Sequence, residues 1–280
     1  MDSSPHRVTN NTKFLIITLL GDYIMPHGGS IWLSDFLYLL ELLGVGERTA
    51  RSTITRMAQQ GWFSIEKEGR RSRYTITPQG ITILERGDLR VFEVPLMDWD
   101  EQWFLVVYSL PEDKRKLRND LRKQLTWLGF GRLAPGTWIS PHHRKNALDR
   151  LFAELEVTSY VNTFSGLHHG PLPNADLVRH CWDIPDLTHR YQTFVTHYQP
   201  EYEACQQTVT TADLSAEISF THRFWMTHTF LPFLREDPNL PAQLLPDDWI
   251  GFQARTLFDS YRQLLAPSVN VFIEAVVERE

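Results

Sequence analysis

Apolar residues recur at helical spacing through the first sixty positions of the chain. Residues 13–23 and 32–43 each place Leu, Ile or Phe side chains on one face of a helix. The tight turn 44–46 separates the second helix from a third, 47–60, and Gly61 stands where a C-terminal capping glycine belongs. Two helices joined by a short turn that contains glycine are typical of a helix-turn-helix.

The residues that follow the third helix predict a β-hairpin. Residues 62–65 and 73–76 have the composition of short strands, and the loop 66–71 between them is polar and basic. Thr77 and Pro78 then match the N-cap and first position of another helix. Three helices followed by a basic hairpin predict a winged helix-turn-helix over residues 1–90.

The third helix separates its side chains by polarity. At 100° per residue, Ala50, Ile54, Met57 and Ala58 fall on one side, which would pack on the rest of the domain. The other side carries side chains able to reach base edges and phosphates in a major groove. The candidate DNA contacts of this helix are Arg48, Thr49, Arg51, Ser52, Thr55, Arg56 and Gln59. Arg51 lies near the boundary between the two sides and is better placed for a backbone phosphate or for a salt bridge within the fold. The hairpin would add contacts to phosphates or a minor groove through Lys67, Arg70, Arg71 and Arg73.

A different pattern begins near residue 91. The order strand, helix, two strands, helix, strand predicts a ferredoxin-like α/β sandwich over residues 91–170. Its segments are 103–110, 112–128, 132–133 with 137–140, 144–155 and 160–164.

Residues 171–280 read as mainly helical, with Pro232, Pro238, Pro241 and Pro246 breaking a long loop. The expected helices are 174–180, 185–197, 201–207, 213–230 and 252–265, followed by a strand-like tail, 269–277. The fold expected for the whole chain is therefore α+β and multidomain, with a winged helix-turn-helix, a ferredoxin-like centre and a helical C-terminal domain for effector binding or dimerisation.

Charge and composition limit the kinds of partner that the protein can bind. The net charge is −6, yet residues 44–74 hold seven Lys and Arg against three Asp and Glu. Residues 191–280 hold five Arg and no Lys against twelve acidic residues. A polyanion would therefore meet the first domain. Two cysteines and the lack of a long apolar run predict a cytoplasmic protein with no membrane partner.

Long stretches of the chain resemble the PaaX family of phenylacetate-pathway repressors. They are FLIITLLGDYIMPHGGSIW, GVGERTARSTITRMAQQGWFSIEKEGRRSRYTITPQG, WDEQWFLVVYSLPEDKRKLRNDLRKQLTWLGFGRLAPGTWISPH and FLPFLREDPNLPAQLLPDDWIGFQARTLFDSYRQLL. The resemblance implies a homodimer that binds a partly palindromic operator in double-stranded DNA and is released by an aryl-CoA thioester, phenylacetyl-CoA in the namesake branch. It also implies that the central domain is similar to Cas2 proteins. His27 replaces the Arg that is commoner in the family's Pro-Arg-Gly-Gly turn, which keeps another acyl-CoA or aromatic acid derivative open as the inducer.

An aryl group would suit a pocket among the aromatic residues of the C-terminal third, and the CoA phosphates would need positive partners. The candidate effector contacts are His222, Arg223, Trp225, Trp249 and Arg255. Arg223 and Arg255 could equally be salt-bridge partners of Asp or Glu. The basic face of helix 112–128 is a rival site for phosphates and a possible second DNA contact.

Two other functions stay open. The first is a DNA-binding regulator with a different effector or none. The second is a metal-dependent nuclease, which the Cas2 resemblance suggests. In that case the metal would need a carboxylate at the end of the first central strand, but Ser109 stands there, and Asp113 lies further on. The histidines, such as His142 and His143, lack metal-ligand spacing. We therefore expect no catalytic residue, metal or cofactor, and no enzyme.

Overall fold

The computed structural model of the protein describes residues 11–88, 99–210 and 214–277. The chain divides into two compact units. The first unit takes its residues from Met1–Glu93, Phe194–Pro232 and Gln253–Glu280, and the second from Val94–Thr193 and Phe233–Phe252. The expected domain boundaries at residues 90 and 170 stay predictions, and the first of them lies outside the described residues.

The N-terminal part of the first unit alternates helices with a small sheet. Helix α1 (Thr12–Leu19) continues as a π-helical turn, Leu20–Ile24, and then as a 3-10 turn, Met25–His27. The elements are α1 (Thr12–Leu19), β1 (Ser30–Trp32), α2 (Leu33–Leu42), α3 (Glu47–Gln59), β2 (Phe63–Glu68), β3 (Arg71–Ile76) and α4 (Pro78–Asp88). The three helices and the hairpin predicted from the sequence are therefore present, with ends that agree within a few residues.

The sheet of this part differs from the prediction by one strand. Within the described residues its order is β1-β3-β2, and all neighbours are antiparallel. We expected Trp32 to begin the second helix, but Ser30–Trp32 pairs with β3, with Ile31 opposite Tyr74. Gly28 and Gly29 precede the strand with positive φ angles of 91° and 69°, which glycine adopts without strain. They turn the chain out of the 3-10 helix and into the sheet.

The central part of the second unit confirms the predicted order of elements. They are β4 (Gln102–Tyr108), a 3-10 turn (Glu112–Lys114), α5 (Arg115–Trp127), β5 (Gly131–Ala134), β6 (Thr137–Ser140), α6 (Lys145–Glu154) and β7 (Val161–Leu167). The described strands form an antiparallel sheet in the order β5-β6-β4-β7. This is the strand order of a ferredoxin-like sandwich.

One face of this sheet packs on α5 and α6. Because side chains alternate along a strand, Phe104, Val106 and Tyr108 of β4 all point to that face. They form a core with Leu121 and Leu125 of α5. Leu148, Leu151 and Phe152 of α6 complete the layer. The opposite face of the sheet carries Trp103 and Leu105.

The helices after residue 170 are longer than predicted. They are α7 (Asn174–Cys181), α8 (Ile184–Thr210), α9 (Ala216–Glu236) and α10 (Ile250–Val277). Two expected helices, 185–197 and 201–207, are one helix through Pro200, and Pro232 lies inside α9 instead of breaking it. Tyr198 and Cys205 are buried on either side of Pro200. The packing of such side chains outweighs the cost of an interior proline, about 3 kcal/mol.

The strand-like tail expected at 269–277 is also wrong, because α10 continues to Val277. Val269, Ile273 and Val276 are all buried, and their spacing of four and then three residues is helical. Their branched side chains suggested a strand, but burial along one helical face determined the structure. Within the described ranges, no helix is both long and apolar enough to cross a membrane.

Candidate nucleic-acid interface

Helix α3 presents the polar face that the sequence predicted. Arg48, Thr49 and Arg51 are exposed, as are all the other candidate contacts of this helix: Ser52, Thr55, Arg56 and Gln59. On the opposite face, Ala50, Ile54 and Met57 are buried within the first unit, and Ala58 is half-buried. The helix is therefore fixed by its apolar face, and its polar face is accessible over the whole length.

The arginines of α3 differ in their partners. Arg51 donates from Nε to Glu47 Oε1 at 2.7 Å, one helical turn away, and both side chains are at least half exposed. The expectation that Arg51 could form an internal salt bridge is confirmed. Arg48 and Arg56 make no ion pair with any described residue. Both guanidinium groups are therefore available to a ligand.

The hairpin next to α3 carries a second basic group. Strands β2 and β3 are joined through Gly69 and Arg70, and Gly69 has a φ of 59°. A two-residue hairpin loop needs such a conformation, and glycine provides it at little cost. Lys67, Arg70, Arg71 and Arg73 are all exposed, as predicted. The hairpin thus carries positive charges at its tip and along both of its strands.

Trp32 supports two of these arginines, and sequence analysis missed it. The guanidinium of Arg71 lies 4.2 Å from the centre of the Trp32 ring, and that of Arg73 lies 5.4 Å from it. Arg73 also donates from Nε to Ser30 Oγ at 2.8 Å. Stacking on an aromatic face restricts a long side chain before any ligand arrives. The sequence signal was the Ser-Ile-Trp run after two glycines, which reads as a strand once the hairpin is known.

Two arginines of the rival basic face, on α5, make contacts within their own unit. Arg118 donates to the carbonyl oxygens of Leu110 and Pro111, and Arg122 donates from Nε to the Tyr108 hydroxyl at 3.1 Å. Both arginines are half-buried. These two arginines therefore have a structural role, whereas Arg115 and both lysines of α5 remain exposed.

Comparisons with known proteins agree on one family. The family model described as PaaX-like protein matches residues 11–80, the PaaX protein central Cas2-like domain matches 96–178, and the PaaX-like protein C-terminal domain matches 182–275. The curated protein "Transcriptional repressor PaaX" of Escherichia coli (strain K12) is 32% identical over 262 residues, which are 92% of this chain and 82% of that protein. The chain belongs to the PaaX family. It is thus a member of a family of transcriptional repressors, and it is not an enzyme.

A solved structure has the same fold as this PaaX-family protein. It is the uncharacterized protein Rv0674 from Mycobacterium tuberculosis, with a TM-score of 0.62 and 22% sequence identity. The match covers 92% of this chain and 96% of that one. At this identity the similarity concerns the fold alone.

The nuclease alternative finds no support in the family or at the proposed position. Asp113 lies in the 3-10 turn before α5 and is exposed. No group of three or more His, Cys, Asp or Glu side chains in the described parts of the chain could hold a metal ion. The family assignment therefore decides against this alternative.

The candidate effector residues of this PaaX-family protein have varied surroundings. Arg255 donates to Asp259 Oδ2 at 3.0 Å, so the alternative role as a salt-bridge partner is confirmed for it. Arg223 lies 3.5 Å from the Asn270 amide oxygen and 5.5 Å from the centre of the Tyr23 ring. Its partner is thus an amide and an aromatic face rather than a carboxylate.

The two candidate tryptophans lie in different units. Trp225 belongs to the first unit and packs edge-on against Phe224. Trp249 belongs to the second unit, where it is buried against Tyr191. The roles of both in effector binding stay predictions.

His222 belongs to a polar cluster among α8, α9 and α10. Its Nδ1 lies 2.8 Å from the Tyr261 hydroxyl and 3.7 Å from Cys205 Sγ, and Glu201 Oε2 is 3.9 Å away. Burial lowers the pKa of His222 and raises the pKa of Glu201. Both shifts favour the neutral forms of these groups. A neutral imidazole is a hydrogen-bonding group rather than a cation for a phosphate.

Asp22 and Arg262 form a buried ion pair that the sequence analysis did not single out. Arg262 donates from Nη1 to Asp22 Oδ2 at 2.9 Å and from Nη2 to Oδ1 at 2.5 Å, and Nη1 also reaches Thr227 Oγ1 at 2.8 Å. The pair joins α10 to the π-helical turn that follows α1. The charge of Asp22 and its hydrogen bonds raise the pKa of Arg262 despite its burial.

Proposed function

We propose that this protein is a DNA-binding transcriptional repressor whose residues 11–88 act as a winged helix-turn-helix, with α3 in the major groove. The observation that carries the proposal is the exposed face of α3, where Arg48 and Arg56 form no ion pair with any residue that the structure describes. Arginine pairs with guanine in a bidentate manner, and Gln59 on the same face suits adenine. Family membership supports this choice, since the curated relative is named a transcriptional repressor.

The hairpin completes the interface in this proposal. Lys67 and Arg70 at its tip meet phosphates, while Arg71 and Arg73 are held on Trp32 in a fixed direction. Such contacts supply affinity and set the register of α3 without reading sequence. A protein that dimerises would place two copies of α3 on the two halves of a partly palindromic operator.

The proposed regulation is release of DNA by an aryl-CoA thioester such as phenylacetyl-CoA. The repressor would act as a homodimer in the cytoplasm on an operon for the breakdown of phenylacetate or a related aromatic acid. For release, the thioester must bind more tightly to an arrangement of the dimer that cannot bind DNA. A DNA-binding regulator with another effector, or none, is the second candidate, because His27 departs from the family's turn sequence.

Fluorescence anisotropy tests the proposal directly. A labelled duplex from upstream of the protein's own operon is titrated with protein, and phenylacetyl-CoA, phenylacetate or acetyl-CoA is then added. We expect tight binding that only phenylacetyl-CoA reverses. Tight binding that none of the three reverses would keep the DNA-binding function and reject this effector. If the protein bound this duplex no more tightly than a random one, the duplex would not contain its operator.

Replacing Lys67 with alanine should weaken binding to the operator and to random DNA alike. Each lost phosphate contact reduces the slope of log K against log salt by about one unit. The measurement is the binding constant at several salt concentrations. Lys145→Ala, which removes an exposed lysine of α6 that pairs with Asp149, is the matched control and should leave the slope unchanged. An unchanged slope for Lys67→Ala would show that the hairpin tip does not contact DNA.

A further inference from the structure

The face of the four-stranded sheet that points away from α5 and α6 is apolar. The register places Ile139 of β6 and Phe164 of β7 on either side of Leu105. Trp103 stands two residues before Leu105 on β4 and points to the same face. In a ferredoxin-like sandwich this face has no helix of its own, so its apolar side chains need another cover.

Part of that cover comes from α7 and the residue after it. Helix α7 packs against β5, and Trp103 donates from Nε1 to Asn174 Oδ1 at 3.2 Å. The ring of Trp182 stacks on that of Trp103, with 6.2 Å between their centres. Trp103, Ile139 and Leu177 are thereby buried. The face is closed on the side of β5 and β6.

The side of β7 is not closed in the same way. Phe164, which points to this face, is 57% exposed. Between the two sides lies a cavity of about 250 Å³. Its walls include Trp103, Leu105, Ile139, Phe164 and Leu177, and His168 contributes an imidazole. The result is a pocket with aromatic and aliphatic walls, a polar group and an open mouth.

The size of the cavity limits what can occupy it. An engineered protein cavity of about 150 Å³ lined by Leu, Ile and Phe stays dry and binds benzene. A space of 250 Å³ therefore takes one aromatic ring with a short substituent. It is smaller than the pockets of about 300–1,000 Å³ that enclose drug-sized ligands. A large polar group attached to the ring would have to remain outside the mouth.

We propose that this cavity is a binding site for the aromatic ring of a small arylacetyl compound. The ring would lie between Trp103 and Phe164, and the acyl group would face His168 at the mouth. The same ring could belong to a free arylacetate or to its CoA thioester. The choice of these probes rests on the proposed function, whereas the site rests on the cavity itself. It lies in the central domain, and its lining includes none of the residues that the sequence suggested for effector binding.

Gly166 offers a way to fill the cavity without disturbing the fold. It lines the cavity and lies opposite Trp103 in the sheet. A Cβ added to Gly166 would have no atom within 4 Å. The side chain of Gly166→Leu would therefore extend into the space that the ring needs. Asn162→Leu is the matched control, because Asn162 is an exposed residue of β7 on the same face, outside the cavity walls.

Isothermal titration calorimetry with phenylacetyl-CoA, phenylacetate and CoA measures the binding. We expect the wild type and Asn162→Leu to bind at least one of the two aryl compounds with the same dissociation constant, and not CoA alone. Gly166→Leu should raise that constant at least about tenfold, because the ring loses its buried apolar contacts. Binding of phenylacetate would identify the free acid as sufficient, and binding of the thioester alone would show that CoA contributes.

Three controls make the test decisive. Phe164→Ser, at an exposed position, should also raise the dissociation constant. It replaces Gly166→Leu in the test if that variant proves unstable. Equal binding by wild type and both cavity variants would overturn the site, as would no binding of either aryl compound to the wild type. A change of oligomeric state in Gly166→Leu with unchanged binding would instead make this face a subunit interface. Anisotropy with operator DNA on the same samples shows separately whether the repressor function holds.

Discussion

Replacing Arg262 with alanine is expected to lower the free energy of unfolding by about 3–5 kcal/mol, because it leaves Asp22 buried without its charged partner. The two side chains are only 15% and 13% exposed. Water can therefore do little to replace the two hydrogen bonds that the carboxylate loses. Thr227 also loses a donor to its hydroxyl.

Chemical denaturation followed by circular dichroism measures this effect. Arg255→Ala is the matched control, since the same helix holds Arg255 in a more exposed pair with Asp259, one turn away. Exposed pairs of this kind contribute about 0.3–0.5 kcal/mol. Equal losses in the two variants would show that the Asp22–Arg262 pair has no special role. A double variant, Asp22→Asn with Arg262→Met, should lose less than Arg262→Ala, because it leaves no unpaired buried charge.

The pair matters because it ties distant parts of the sequence into one unit. Thr18 of α1 lies 2.9 Å from His228 Nδ1 in α9, and Tyr38 of α2 donates to Glu217 at 2.5 Å. Together with the Asp22–Arg262 pair, these contacts join α1 and α2 to α9 and α10. The helices that carry the candidate DNA interface are therefore held by polar contacts to the C-terminal helices.

Such contacts explain which features could be predicted from the sequence and which could not. The polar face of α3 was predicted residue by residue, because helical periodicity and a glycine cap are local signals. The ion pair of Asp22 with Arg262 spans 240 positions. A contact over such a distance leaves no periodic pattern in the sequence from which it could be predicted. The position of Trp32 beneath Arg71 likewise depends on pairing between β1 and β3, and the short run that forms β1 reads as a strand only once the hairpin is known.

The C-terminal third shows the same limit in another form. Proline is normally a helix breaker, yet Pro200 lies inside α8. Branched side chains normally favour a strand, yet Val269 lies inside α10. Local preferences of a few kcal/mol or less give way when burial along a long helix opposes them. The cavity beside β7 was missed for a related reason, because its walls come from separate strands and a helix.

Replacing Arg56 with alanine is expected to weaken operator binding by about 1–3 kcal/mol, or roughly ten- to hundredfold, and to relax base preference at one position. Arg56 is exposed on α3 and makes no ion pair with any described residue, so its guanidinium is free to pair with a base. Arg51, five residues earlier and bound to Glu47, should give a smaller loss when changed to alanine. Anisotropy with the operator, single-base variants of it and a random duplex separates these effects.

The comparison between duplexes decides what Arg56 contacts. A loss on the operator that exceeds the loss on random DNA, and that disappears when one base pair is changed, would assign Arg56 to that base. Equal losses on every duplex would make Arg56 a phosphate contact instead, since phosphates carry no sequence information. In that case the reading of bases would fall to Ser52, Thr55 and Gln59, which share the exposed face of α3.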